Sequence, residues 1–260
     1  MLNEALLREA LKGRRFGNPL WCENEVESTF VALRERIREG APEGAVLVAE
    51  AQTKGRGRLG RDWVSPKGAG LYFNLLLRPK AAASKAFGFN FAAALGVARA
   101  LRCLGFEALL KWPNDVLIGG KKVCGILCEA GFDEGGGLDF VSVGIGVNVK
   151  SRAVPEALRE KAAALQEFSS IERETLLLAL LDALEESVAL CLGDFGAMME
   201  QYKALCLTLG RFVAATGGQE AKGLALGIAE GGELIVEEEG GGLVYLRAAD
   251  VSIRGIMGYV

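Results

Sequence analysis

The chain has 260 residues, 50% of them hydrophobic, and a formal net charge of −3. That suffices for one large domain, or a large and a small one, around a sizeable core; it excludes a general polyanion binder, and no stretch is long and apolar enough to span a bilayer. With His 0 and Cys 6, none of them in a C-x-x-C pair, no structural metal site is expected and Ser-His-Asp or Cys-His catalysis is excluded.

The opening MLNEALLREALK reads as an amphipathic helix over 2–11. It is not a signal peptide, which carries a basic start and an unbroken apolar core, so the protein is expected in the cytoplasm. There the cysteines read as small buried hydrophobes. Residues 26–40 predict a helix capped by Ser28 or Thr29 and ended by Gly40. AVLVAEAQ (45–52) is a buried strand, GLYFNLLLRP (70–79) a second one, and 85–105 a long buried helix. Residues 108–131 read as two strands around a turn at Gly119-Gly120, and 139–150 as a strand joined through the turn DEGGG. Residues 155–165 and the run from 171 to about Cys206 read as helical. From Gly210 on, short strand patterns separated by glycines (GRFVAAT, LALGIA, ELIVEEE, LVYLRAADVSIRG) point to a small all-β barrel. The division expected is 1–209 and 210–260.

Three segments carry candidate chemistry. TKGRGRLGRDWVSP (53–66) places Lys54, Arg56, Arg58 and Arg61 among Gly55, Gly57 and Gly60 directly after a strand. It satisfies G-x-G-x-x-G, yet Pro66 and the glycines after it forbid the helix that a dinucleotide site needs. No acid lies between Asp62 and Glu107 to hold a ribose. What remains is backbone N–H groups that can approach an anion closely, and guanidiniums that fork onto phosphate or carboxylate. A solvated basic loop is the bland alternative. The second segment is KWPNDVLIGGKK, where Asn114 and Asp115 could hold Mg²⁺ or water, or make a simple Asx turn. The third is VGIGVN, whose Gly144 and Gly146 imply close approach by a ligand or another backbone, or a bulge.

Taken in order, VEST, Q-T-K-G-R-G-R-L-G-R-D-W-V-S-P, G-L-Y-F-N, K-W-P-N-D, G-K-K-V-C-G-I-L-C-E and G-I-G-V-N resemble the catalytic module of biotin protein ligases. The likeness runs from about residue 14 onward, and the final β segment is similar to the family's SH3-like domain. It implies an α+β fold with a mixed, largely antiparallel central sheet and flanking helices, like that of class II synthetases. It implies ATP (with Mg²⁺) and biotin as substrates, no tightly bound prosthetic group, and a biotinyl-5′-adenylate that acylates a lysine on a biotin carboxyl carrier domain. By position, Ser28, Thr29, Phe30, Gln52, Gly55, Arg56, Gly57, Arg58, Lys122, Gly125, Gly144 and Gly146 would serve biotin. Arg56, Arg58, Arg61, Trp63, Lys111, Asn114, Lys122 and Asn148 would serve ATP and the adenylate. Lys122 and Arg58 would stabilise charge, and Asp115 would orient or deprotonate the acceptor lysine.

Three positions depart from the family pattern. Phe30 stands for the usual Asn, Cys124 for Ala, and Ala162-Ala163-Ala164-Leu165 for A-T-S-L. The residues before the match are too few for a winged helix-turn-helix, so a monofunctional enzyme without DNA as partner is expected. The likeness leaves a homodimer through the central sheet open. Lipoate-protein ligases and octanoyl transferases share the wider fold and form the alternative; a nucleic-acid-binding protein is the remote one.

Overall fold

The computed structural model describes residues 1–248 and 252–255. At its centre is a seven-stranded sheet. The strands are β1 (Leu20–Glu23), β2 (Val46–Ala49), β3 (Gly70–Leu77), β4 (Leu109–Lys111), β5 (Asp115–Ile118), β6 (Lys121–Phe132) and β7 (Leu138–Asn148). They lie side by side as β1-β2-β3-β7-β6-β5-β4. β1 and β2 run parallel and the other neighbours antiparallel, so the sheet is mixed. β3 is buried along its whole length, as an apolar run covered on both faces must be.

The helices are α1 (Glu4–Ala10), α2 (Thr29–Arg38), α3 (Gly88–Cys103), α4 (Arg173–Gly193) and α5 (Phe195–Leu205). α3 and α4 pack closely because Gly96 has no side chain: a Cβ there would lie 3.1 Å from the Ala183 carbonyl oxygen. α2 covers part of the sheet separately, setting Leu33 against Leu47 and Leu76. A buried ion pair ties β2 to α4. Arg173 forks onto Glu50 at 2.9 and 3.1 Å, and the Leu2 N–H donates to the same carboxylate. Burial pushes the Glu50 pKa up, but the guanidinium and that N–H outweigh it and leave the value lowered.

Beyond α5 a five-stranded antiparallel sheet follows. Its strands are β8 (Phe212–Thr216), β9 (Ala221–Ile228), β10 (Leu234–Glu238), β11 (Leu243–Leu246) and β12 (Ser252–Gly255), in the order β11-β10-β9-β8-β12. The strand pattern expected over 243–255 crosses 249–251, and the expected unit runs on through 256–260; those positions lie outside the described residues. Among the described residues no helix is long and apolar enough to cross a membrane.

The chain departs from its sequence pattern in four places. The helix expected over 155–165 is absent: 3₁₀ turns occupy Glu156–Leu158 and Leu165–Glu167. Between them the Lys122 N–H donates to the Lys161 carbonyl at 2.9 Å, and the Ala163 N–H to the Lys122 carbonyl at 3.0 Å. Pairing to β6 overrides the helix propensity of the alanines. The first strand of 108–131 is two strands, with Trp112, Pro113 and Asn114 forming the turn of a β4–β5 hairpin. The run from 171 breaks at Asp194, whose carboxylate accepts from the Ala197 N–H and caps α5. Of the cysteines, Cys124, Cys191 and Cys206 are buried, but Cys103 is exposed near the end of α3.

Candidate active site

A cavity of about 240 Å³ opens among the glycine-arginine segment, the Trp-Pro-Asn turn, the ends of β6 and β7, and β12. Its wall contains every residue expected to serve biotin, ATP or catalysis except Ser28 and Gly55, while Lys54 and Gly60 of the loop lie outside it. Ser28 is fully buried and its hydroxyl accepts from the Val31 N–H, so it is spent capping α2. Gly55 serves close packing: a Cβ there would lie 2.9 Å from Ser65 Oγ, and its carbonyl accepts from the Trp63 N–H at 2.9 Å.

Gln52 links the helix start to the loop. Its Oε1 accepts from the Thr29 N–H at 2.9 Å and its Nε2 donates to Ser65 Oγ at 2.8 Å. The segment then folds back on itself, the Gly57 N–H donating to the Arg61 carbonyl at 2.7 Å. At the tip Leu59 takes a left-handed φ of 56°, uncommon for a residue with a side chain. The arginines diverge. Arg56 pairs with Glu129 at 2.8 Å and its Cζ sits 5.8 Å over the Phe30 ring. Arg58 donates to Asn114 Oδ1 at 3.0 Å and to the Ala248 carbonyl, which reaches in from the C-terminal sheet. Burial lowers the pKa of the Arg58 guanidinium, against the opposing pull of Asp115. Lys54 points outward to Glu27.

The Trp-Pro-Asn turn is held by five partners. Trp112 N–H donates to Thr208 Oγ1 at 3.0 Å, and its indole Nε1 to the Gly232 carbonyl at 3.1 Å. The Pro113 carbonyl accepts from Asn90 Nδ2 at 3.0 Å and Tyr202 OH at 3.2 Å. Asn114 Nδ2 donates to the Ile126 carbonyl at 2.5 Å. Asn114 is therefore committed on both ends of its amide. Asp115, beside it, takes Lys122 Nζ at 2.6 Å. Lys111 is buried in the same wall, and Asn148 Nδ2 donates to the Ala163 carbonyl at 3.2 Å.

The β6–β7 register sets Gly125 opposite Gly146 and Leu127 opposite Gly144. The space left by the missing side chains is taken by two rings of the chain itself. A Cβ on Gly144 would lie 2.5 Å from Phe30 Cε2. One on Gly146 would lie 2.7 Å from Trp63 Cε2, and one on Gly125 3.0 Å from Trp63 Cζ3. Phe30 thus packs as an apolar wall. Trp63 lies across both strands with Lys122 Nζ 5.2 Å from its ring, and its buried Nε1 has no hydrogen-bond partner among the described residues.

Sequence reasoning missed the apolar side of the cavity. Val154, Pro155, Leu158 and Ile253 line it from segments whose place is set only by tertiary packing. It also passed over Glu129, although that residue ends the quoted G-K-K-V-C-G-I-L-C-E segment. The result is a partly apolar pocket with several cations gathered at one side, suited to an organic acid and a phosphate ester that must meet.

Comparison with known proteins agrees with that chemistry. Residues 24–148 match the biotin/lipoate A/B protein ligase family, and residues 208–254 the biotin protein ligase C terminal domain. The bifunctional ligase/repressor BirA of Bacillus spizizenii is 32% identical over 259 residues, spanning 97% of this chain and 79% of the relative. The biotin–[acetyl-CoA-carboxylase] ligase of Mycobacterium tuberculosis is 33% identical, spanning 96% of this chain and 95% of the relative. The solved biotin protein ligase from Aquifex aeolicus in complex with biotin and ATP superposes with a TM-score of 0.78 at 33% identity, covering 91% of this chain and 99% of that one.

Proposed function

The chain belongs to the biotin/lipoate A/B protein ligase family, and on that premise we propose that it is a biotin ligase, attaching biotin in an ATP-dependent reaction to one lysine of a biotin carrier domain such as that of acetyl-CoA carboxylase. One observation carries the reading: Lys122, Arg58 and Asp115, from β6, the loop and β5, converge on a single cavity with an apolar wall. In the first half-reaction a biotin carboxylate oxygen attacks the α-phosphorus of ATP, which enters as its Mg²⁺ complex, and pyrophosphate leaves. Lys122 and Arg58 stabilise the charge that gathers on the phosphoryl oxygens. In the second, the acceptor amine attacks the carbonyl carbon of the mixed anhydride, AMP leaves and an amide forms. A lysine is protonated at neutral pH, with a pKa of about 10.4, so it must shed a proton. Asp115 orients the ammonium and takes or relays that proton.

Thr29 and Gln52 hold the polar head of biotin, Phe30 packs as its apolar wall, and Arg61, Trp63, Lys111 and Asn148 lie toward the nucleotide. Residues 1–209 form the catalytic unit and 210–260 a C-terminal unit that contributes a wall to it. The test is incubation with a carrier domain, biotin and ATP, read by mass, with lipoate in a parallel reaction. Gain of one biotinyl group that depends on both substrates is the expected result. Absence of labelling, or equal labelling with lipoate, refutes it.

A further inference from the structure

Glu129 has no part in the reaction as set out above, yet it is the point where three elements meet. Its Oε2 takes Arg34 of α2 at 2.7 Å, and its Oε1 takes Arg56 of the glycine-arginine loop at 2.8 Å. Phe30 and Arg34 are one turn apart and share a face of α2, so that helix offers both a ring and a cation to the same neighbourhood. Arg56 rests over that ring while its charge is answered by the carboxylate. Bound to that carboxylate, the guanidinium ties the first arm of the loop to β6.

We propose that Glu129 is a positioning residue of the biotin site, acting through Arg56. Its carboxylate pins the loop so that the backbone at 56–57 stays in the cavity wall, and Arg34 holds the carboxylate in place from the far side. The inference deepens the biotin ligase reading and rests on it.

The two roles open to Arg56, anchor and direct anion clamp, give opposite results in a charge-neutralising cycle. As an anchor, Arg56→Gln, Glu129→Gln and the double variant share one defect, because either change unties the same pair. Biotin KM should rise roughly two- to fivefold in each, the range of a half-exposed pair, with kcat unchanged. Arg34→Gln should give a smaller rise of the same kind. As a clamp, Arg56 would be freed by Glu129→Gln, and biotin would bind as well as before or better. That result, or additive defects in the double variant, overturns the proposal. So does a loss in melting temperature with no change in KM, which would mark Glu129 as merely structural. Wild-type protein in the same assay must label the carrier domain; if it does not, the ligase reading itself has failed and not the role of Glu129.

Discussion

Gly144 and Gly146 are two residues apart on β7, and replacing each by alanine should produce opposite defects. Neither has a left-handed backbone, so the added methyl acts through what it strikes. At Gly144 it strikes Phe30, a ring only 5% exposed, and would itself lie 3.4 Å from the Leu127 carbonyl oxygen. Overpacking of that kind costs about 1–3 kcal/mol. Stiffening of the unfolded chain returns about 0.4–1 kcal/mol. The net loss is about 1–2 kcal/mol, a fall in Tm of roughly 2–8 °C for a chain of this size. At Gly146 the methyl strikes the Trp63 indole, which is half-buried and sits on a loop, so the ring can swing outward. Stability should then change by no more than about 0.5 kcal/mol. Substrate binding should suffer instead, because the displaced ring is a wall of the cavity and packs against Lys122. A tenfold rise in KM, about 1.4 kcal/mol, is the scale expected. Thermal melting and steady-state labelling of the carrier domain separate the two effects. Phe30→Leu should cost less stability in the Gly144→Ala background than in the wild type, because the smaller side chain relieves the clash. Equal melting losses in both variants, or none at Gly144, would mean that the rings do not occupy the glycine slots.

Arg58→Gly removes the side chain that joins the loop to Asn114 and Ala248. It should let the adenylate escape and biotinylate unrelated proteins, and labelling confined to the carrier domain would contradict this. Lys122→Ala should slow pyrophosphate release on the order of 10²-fold. Supplying preformed biotinyl-adenylate should partly rescue it but not Asp115→Ala; normal labelling by Asp115→Ala from the adenylate would move Asp115 to the first half-reaction. Arg173→Ala leaves Glu50 charged and buried without its main partner, and should cost about 3 kcal/mol at neutral pH. Because Glu50 titrates below its ordinary value of 4.5 in the folded protein, the wild-type advantage is full above that pH and is lost as pH falls through the lowered value. Denaturant melts over a pH series from 7 downward should show the gap narrowing once pH falls below 4.5, and a constant gap would refute the assignment.

The polar residues that line the cavity were legible in the sequence because they sit in segments of unusual composition. Arginines among glycines after a strand, and glycines alternating within one, have few other uses, and the cavity gathers them together. Segments stabilised by distant partners were not legible. Residues 161–163 carry a helical composition, yet they pair with Lys122, nearly forty positions earlier. β1 escaped notice because four residues, LWCE, give too short a period to read, and it exists only by pairing with β2. Trp112 to Asn114 fall inside the first strand expected over 108–131; an Asx turn at Asn114-Asp115 is open, but nothing local shows that Thr208, Gly232, Asn90 and Tyr202 hold them in a hairpin turn.

Those distant partners also bear on how the enzyme is made. Trp112 gives its indole proton to Gly232, Arg58 gives one of its own to Ala248, and Ile253 closes the cavity. On a ribosome the chain emerges from its N-terminus, so all seven strands of the central sheet are available before Gly232, Ala248 or Ile253 appears. A nascent chain halted near position 209 could pair that sheet and still hold a buried tryptophan N–H without its acceptor and a pocket open on one side. Competence for catalysis is therefore acquired late, with the last strands to be synthesised. Early termination or proteolytic trimming in the final fifty or so positions would remove the Gly232 and Ala248 acceptors and the Ile253 side of the cavity together.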